Sequence, residues 1–243
     1  MDTPILQEKL KKLFLAHSSK HLAEHFSKAQ RNNQSYEQFL NDLLDDELAH
    51  RKQKRLNERI RQSRLKVIKT LDSYDFNYPK QINKQLTKAL FNLNFIAEKR
   101  NVIFLGPPGV GKTHLASALC YHACLNDYKC LFTTAINLIN ELNASLSDNS
   151  FFKLMKRYTQ VHLLVIDELG YLPVDKKGAD LLFQIISNRY EIGSVIITTN
   201  RPFKEWDRIF NNDATVASAL IDRLAHHGII IQIKGESYRM NNR

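Results

Sequence analysis

The chain has 243 residues, 43% of them hydrophobic and 25% charged, with a formal net charge of +10. That length allows one large domain or a core domain with a smaller module, and the apolar fraction is enough for a packed core. Three cysteines make no disulfide framework, and no secretory h-region or bilayer-length apolar run is present; these features speak against secretion or membrane insertion and for a cytoplasmic, reducing setting.

The positive charge is lopsided. Residues 1–100 carry a balance of +8 and residues 101–243 only +2. This asymmetry points to a polyanionic partner bound by the N-terminal part.

Residues 1–70 read as a small all-α module. They contain no glycine, and their only proline, Pro4, suits a helix start. Leu6, Leu10, Leu13 and Phe14 recur at helical spacing. Asn32-Asn33-Gln34 reads as a break, and Ser35-Tyr36-Glu37-Gln38 has the form of a capping box. The helix it opens has Phe39, Leu40, Leu43, Leu44 and Leu48 on one face. From Arg51 to Lys69 nine basic residues face a single acid, Glu58. A solvated helix face interleaves both signs. The near absence of one sign favours phosphate-backbone contacts, with Arg51, Lys52, Lys54, Arg55, Arg59, Arg61 and Arg64 as the candidate DNA-binding residues. Residues 71–100 read as a linker and first core helix. Their alternating Tyr74, Phe76, Tyr78 and Pro79 read chiefly as packing against the core, with a nucleotide-base contact as the other reading.

Residues 101–243 alternate strand and helix. Strands are expected at Val102–Leu105, Cys130–Thr133, His162–Ile166, Ser194–Thr198 and Ile229–Ile233. Helices are expected at Lys112–Leu125, Ile136–Ser145, Lys177–Tyr190 and Ala214–Leu224. This pattern implies a parallel sheet covered on both faces, an α/β fold. Cys120 and Cys124 sit four apart on the first of these helices. They read as small core residues, with no companion ligands near them in sequence to suggest a metal site.

The chemistry begins with Gly106-Pro107-Pro108-Gly109-Val110-Gly111-Lys112-Thr113, which fits G-x-x-x-x-G-K-[ST]. Such a loop, set between an apolar strand and a helix N-terminus, wraps nucleoside triphosphate phosphates with backbone N–H groups. Lys112 would reach the β/γ-phosphates, and the Thr113 hydroxyl would hold Mg²⁺. His114 reads as a packing residue or a neighbour of the phosphates rather than a catalyst. Leu163-Leu164-Val165-Ile166-Asp167-Glu168 is an apolar strand ending in two carboxylates, where ligands bind in open α/β sheets. Asp167 would serve Mg²⁺, and Glu168 would polarise an attacking water. Val195-Ile196-Ile197-Thr198-Thr199-Asn200 ends in an Asn able to orient that water or sense the γ-phosphate. His226 and His227 form no metal spacing.

Taken together, GPPGVGKTHLASAL, LLVIDELGYLP, SNRYE at Ser187–Glu191, ITTNRPFKEW, ALIDRLAHH and GESYR resemble the IstB-like ATPases. These are helper proteins of certain bacterial insertion-sequence transposases and relatives of the DnaC/DnaI helicase loaders. The resemblance spans nearly the whole chain and is most specific from Asn101 to Arg239. It implies an AAA+ core over residues 101–243 with sheet order 5-1-4-3-2, and Asn200 as its sensor-1 residue. It also implies ATP bound between subunits of a homo-oligomer, with Arg223 matching the arginine finger supplied by the neighbour. Arg239 looks like the sensor-2 arginine or its functional substitute, although too few residues follow Gly235 for the helical lid of many AAA+ proteins. Arg189 and Arg201 are lower-ranked interface or site candidates. The implied function is ATP-dependent oligomerisation on double-stranded DNA with recruitment of a transposase. The alternative is loading of a replicative helicase.

Overall fold

In a computed structural model of the chain, residues 3–147, 149–226 and 228–238 are described; Arg239 and His227 lie outside them. The chain divides into two compact units, Met1–Glu58 and Arg59–Arg243.

The first unit is helical: α1 (Thr3–Lys12), α2 (Ala16–Arg31) and α3 (Tyr36–Gln62), whose last residues, from Arg59, belong to the second unit. The capping box forms as the sequence predicts. Ser35 Oγ accepts the Gln38 N–H at 3.2 Å, and Gln38 Oε1 accepts the Ser35 N–H at 3.0 Å. Two expectations change. The first helix stops at Lys12, and Leu13 and Phe14 are exposed, with Phe14 in a left-handed turn at φ 59°. On α3, Leu43 is buried while Leu40, Leu44 and Leu48 are exposed. A polar group holds the unit beside Leu22 and Leu43. The buried Glu47 carboxylate accepts from Ser18 N, Ser18 Oγ and Arg51 Nε.

The second unit is built on a five-stranded parallel sheet of order β2-β3-β4-β1-β5. Read from the other edge, this is the predicted 5-1-4-3-2. The strands are β1 (Val102–Leu105), β2 (Cys130–Thr134), β3 (Leu163–Leu169), β4 (Ser194–Thr199) and β5 (Ile229–Gln232). Around them lie α4 (Lys84–Ala89), α5 (Asn94–Ala97), α6 (Lys112–Leu125), α7 (Ala135–Ser145), α8 (Phe151–Thr159), α9 (Lys176–Arg189), α10 (Trp206–Ile209) and α11 (Ala214–Ala225).

Side chains alternate across each strand, so the sheet feeds two cores. Val102, Phe104, Leu163, Val165 and Ile196 pack with α5 and α6. Ile103, Leu164, Ile166, Val195 and Ile197 pack with α7, α8, α9 and α11. A sheet buried on both faces explains why these strands read as unbroken apolar runs.

The structure overturns the reading of Arg189 as a site candidate. Its side chain is 1% exposed, and its two terminal nitrogens donate to five backbone carbonyls, those of Tyr158, Thr159, Val161, His162 and Ser194. It ties the end of α8 to the starts of β3 and β4.

Candidate nucleotide site

β1 delivers its chain into the Gly106–Thr113 loop, and α6 leaves it at Lys112. Gly109 and Gly111 sit at φ 80° and 90°, left-handed values that a β-carbon disfavours. Space matters as much as φ here. A β-carbon on Gly109 would lie 2.1 Å from Ser237 Oγ, and one on Gly111 would lie 2.5 Å from the Tyr74 ring. The loop is thus clamped between two distant segments, with Tyr238 N donating to Gly109 O and Tyr74 Oη to Val110 O. Lys112 Nζ donates to the Gly106 and Pro107 carbonyls, both at 2.7 Å, which holds the ammonium inside the curl of the loop.

Across from the loop, β3 brings Asp167 to Thr113. Thr113 Oγ1 donates to Asp167 Oδ1 at 3.0 Å, joining residues 54 positions apart. Asp167 is 3% exposed and takes a second hydroxyl bond, from Thr198 at the end of β4. Thr198 Oγ1 also accepts the Glu168 N–H at 3.0 Å. Glu168 itself is exposed and left-handed at φ 61°, in the register shift between Ile166 and Leu169. That conformation costs on the order of 1 kcal/mol for a non-glycine residue. The bulge turns the Glu168 carboxylate away from the sheet while Asp167 stays buried.

These groups line a cavity of about 990 Å³. One wall is the loop with Thr113, His114, Asp167 and Glu168. A second is Phe132, Thr133 and Thr134 of β2 with Asn137 and Glu141 of α7. The third is a strap running from Arg64 to Pro79. Arg64 pairs with Glu141 at 2.6 Å, and Ser117 Oγ donates to Val67 O. His114 Nε2 contacts Ser73 Oγ at 3.2 Å and Thr70 O at 3.0 Å, and its ring meets Tyr74 edge-on. Burial pushes the His114 pKa below its usual value. Burial likewise raises that of Tyr74, to about 12, which keeps its hydroxyl a donor.

Of the loop, Gly109, Val110, Gly111, Lys112 and Thr113 line this cavity and Gly106, Pro107 and Pro108 do not; nor do Asn200 and Arg223. Asn200 follows β4 at the same sheet edge. Arg223 lies on α11, where it donates to Ala219 O and stacks on Phe183 at 4.7 Å. Arg201 pairs with Glu205. Within the basic run, Arg51, Arg59 and Arg64 pair with Glu47, Asp127 and Glu141. Lys52, Lys54, Arg55 and Arg61 have exposed side chains. Thr198 and the part of the strap before Tyr74 carry no expectation at this site from the sequence, whereas Tyr74, Tyr78 and Pro79 fall in the aromatic segment it singles out. A threonine closing an otherwise apolar strand was the available signal for the first; the strap's contacts are all long-range.

The pattern that defines the IstB-like ATP binding proteins matches residues 8–243. The chain belongs to this family. It is 39% identical over 215 residues to an insertion sequence IS5376 ATP-binding protein of Geobacillus stearothermophilus, covering 88% of this chain and 85% of that one. It is 36% identical over 238 residues to its IS21 counterpart in Pseudomonas aeruginosa, covering 98% and 89%. Among solved structures, the DnaC helicase loader superposes with a TM-score of 0.54 at 25% identity, over 68% of this chain and 96% of that one. DnaI superposes with a TM-score of 0.57 at 20% identity, over 70% and 92%. The IstB-like core is therefore of the AAA+ type, and no helix among the described residues is long and apolar enough to cross a membrane.

Proposed function

We propose that this IstB-like chain is an ATP-hydrolysing assembly protein that oligomerises on duplex DNA and recruits or regulates a transposase, with hydrolysis dissolving the assembly. The observation that carries the reading is the Thr113–Asp167 hydrogen bond across the mouth of the cavity, in a chain whose relatives are insertion-sequence ATP-binding proteins.

The donor set fits a triphosphate with Mg²⁺. The loop from Gly106 to Thr113 offers backbone N–H groups to the phosphates at a helix N-terminus, and Lys112 can exchange its two carbonyl partners for phosphate oxygens. Thr113 and Asp167 offer hard oxygen donors, the kind Mg²⁺ takes. Bound there, Mg²⁺ would supply positive charge to offset the negative charge of the phosphates. Glu168, exposed and aimed off the strand, is placed to accept a proton from water. His114 lies beside the phosphates as a neighbour, pinned by the strap. Asn200 would orient the water or sense the γ-phosphate, Arg239 would act as sensor 2, and Arg223, outside its own chain's cavity, would complete the site of an adjoining subunit. Lys52, Lys54, Arg55 and Arg61, whose side chains are exposed, would contact the DNA backbone, and Arg51, Arg59 and Arg64 are the further candidates of the same run.

The test is duplex DNA binding at several salt concentrations with ATP or a non-hydrolysable analogue. Each phosphate neutralised contributes roughly −0.9 to the log–log slope. A salt-independent affinity, or no binding with nucleotide present, rejects the DNA reading. Glu168→Gln should bind ATP yet slow turnover by about 10²–10⁴-fold and trap the assembled state. Wild-type turnover would remove Glu168 from its role.

The likeness to the DnaC loader supports a second reading, in which the partner is a replicative helicase. Pull-down against helicase and transposase separates the two.

A further inference from the structure

The cysteines that look isolated in sequence meet in space. Cys120 and Cys124 are one turn apart on α6 and share a face. Cys130 opens β2, in register with Leu163. The three sulfurs lie within 4.8 Å of one another, and all three residues are buried. A tetrahedral ion with metal–sulfur bonds of about 2.3 Å needs sulfurs roughly 3.8 Å apart, so small rotamer adjustments close the ring.

A second, independent feature sits beside them. Arg189 is a buried cation, and among the described residues no carboxylate pairs with it. Its Nε has no hydrogen-bond partner among the described residues. One of its terminal nitrogens donates to the carbonyl of His162, next to Leu163, the sheet partner of Cys130. The other nearby guanidinium, Arg59, donates to the Cys124 carbonyl but is already matched by Asp127 at 2.7 Å. An interior positive charge without a counter-charge is costly, and a net −1 group alongside would relieve it.

We propose that Cys120, Cys124 and Cys130 form a trithiolate site for one divalent, thiophilic d¹⁰ cation of the zinc class. Three thiolates with a divalent ion carry −1, which Arg189 balances. A monovalent ion would leave the region at −1 and a trivalent one at +1. The all-sulfur donor set excludes Mg²⁺ and Ca²⁺, which take oxygen. Each thiol gives up its proton to solvent on binding, and nothing is oxidised. Cys120 lies eight residues past Lys112, about 12 Å along α6, so the ion would pin the far half of that helix to β2 without touching phosphates.

The experiment uses the full chain, purified under reducing conditions, stripped with chelator and titrated with Cd²⁺, with Zn²⁺ as competitor. The thiolate-to-metal charge-transfer absorption should saturate at one equivalent, and Zn²⁺ should displace it. Either ion should raise Tm by several degrees. Cys130→Ser and Cys124→Ser should each lose the saturable absorption. No absorption and no Tm shift in the wild-type chain would overturn the proposal, without reliance on any variant's folding. So would a stoichiometric signal that survives in folded Cys130→Ser, or fewer than three free thiols in the freshly purified, denatured chain.

Discussion

Thr198 Oγ1 donates to Asp167 Oδ1, fixing the buried carboxylate from the neighbouring strand. Because the same hydroxyl accepts the Glu168 N–H, one side chain sets the position of both acids.

Thr198→Val keeps the shape and removes both bonds. It should cost about 1–3 kcal/mol of stability. ATP turnover should fall by about 10- to 100-fold through misplacement of Glu168, with nucleotide affinity little changed. Phosphate release compared with equilibrium binding of a fluorescent ATP analogue checks the split. Equal losses in both would mean that Thr198 only supports the fold.

Among the described residues, the Arg223 side chain is tied to one backbone carbonyl and the Phe183 ring. Arg223→Ala should therefore cost on the order of 1 kcal/mol of stability and leave nucleotide binding intact. Lys112→Ala should abolish nucleotide binding. Mixed together, the two inactive variants should recover hydrolysis at interfaces that combine an intact loop with an intact Arg223. A flat activity profile across mixing ratios would count against a finger acting between subunits.

Arg189→Met should be far more damaging than any change at Arg223. It strips the donor from five carbonyls, and loss on the order of 3 kcal/mol or more is expected. Urea midpoints of the two variants, measured side by side, decide this.

His114 and His162 both have pKa values lowered by burial from 6.5. Below pH 6.5 the unfolded chain takes up protons that the folded chain refuses, so stability should fall as pH drops through that value and be unaffected above it. Tm measured from pH 7.5 to 5.5 should fall more steeply for the wild-type chain than for His114→Gln. Parallel curves would mean that His114 does not contribute.

The sheet is legible in the sequence because its strands are buried on both faces and bounded by glycine, proline or charge. β1 and α6 fall on the residues expected, since the loop between them announces both ends. β3 runs past the expected end at Ile166, because two consecutive acids look like a strand terminus. Its bulge lets pairing resume at Leu169, a register change that no local pattern encodes. α8 is only nine residues long, too short for a helical period to stand out, which hides it from pattern reading although Ser150 precedes it. The strap's contacts with α6 and α7, and the meeting of Cys130 with α6, depend on chain crossings that spacing alone does not reveal.

The closeness of Ser237 to Gly109 has a practical corollary. With no slack between the segment at 234–238 and the loop, the loop cannot widen around a guest unless that segment shifts as well. An environment-sensitive dye carried at position 237 would then glow or dim with each arrival and departure, giving a real-time readout of occupancy from outside the cavity.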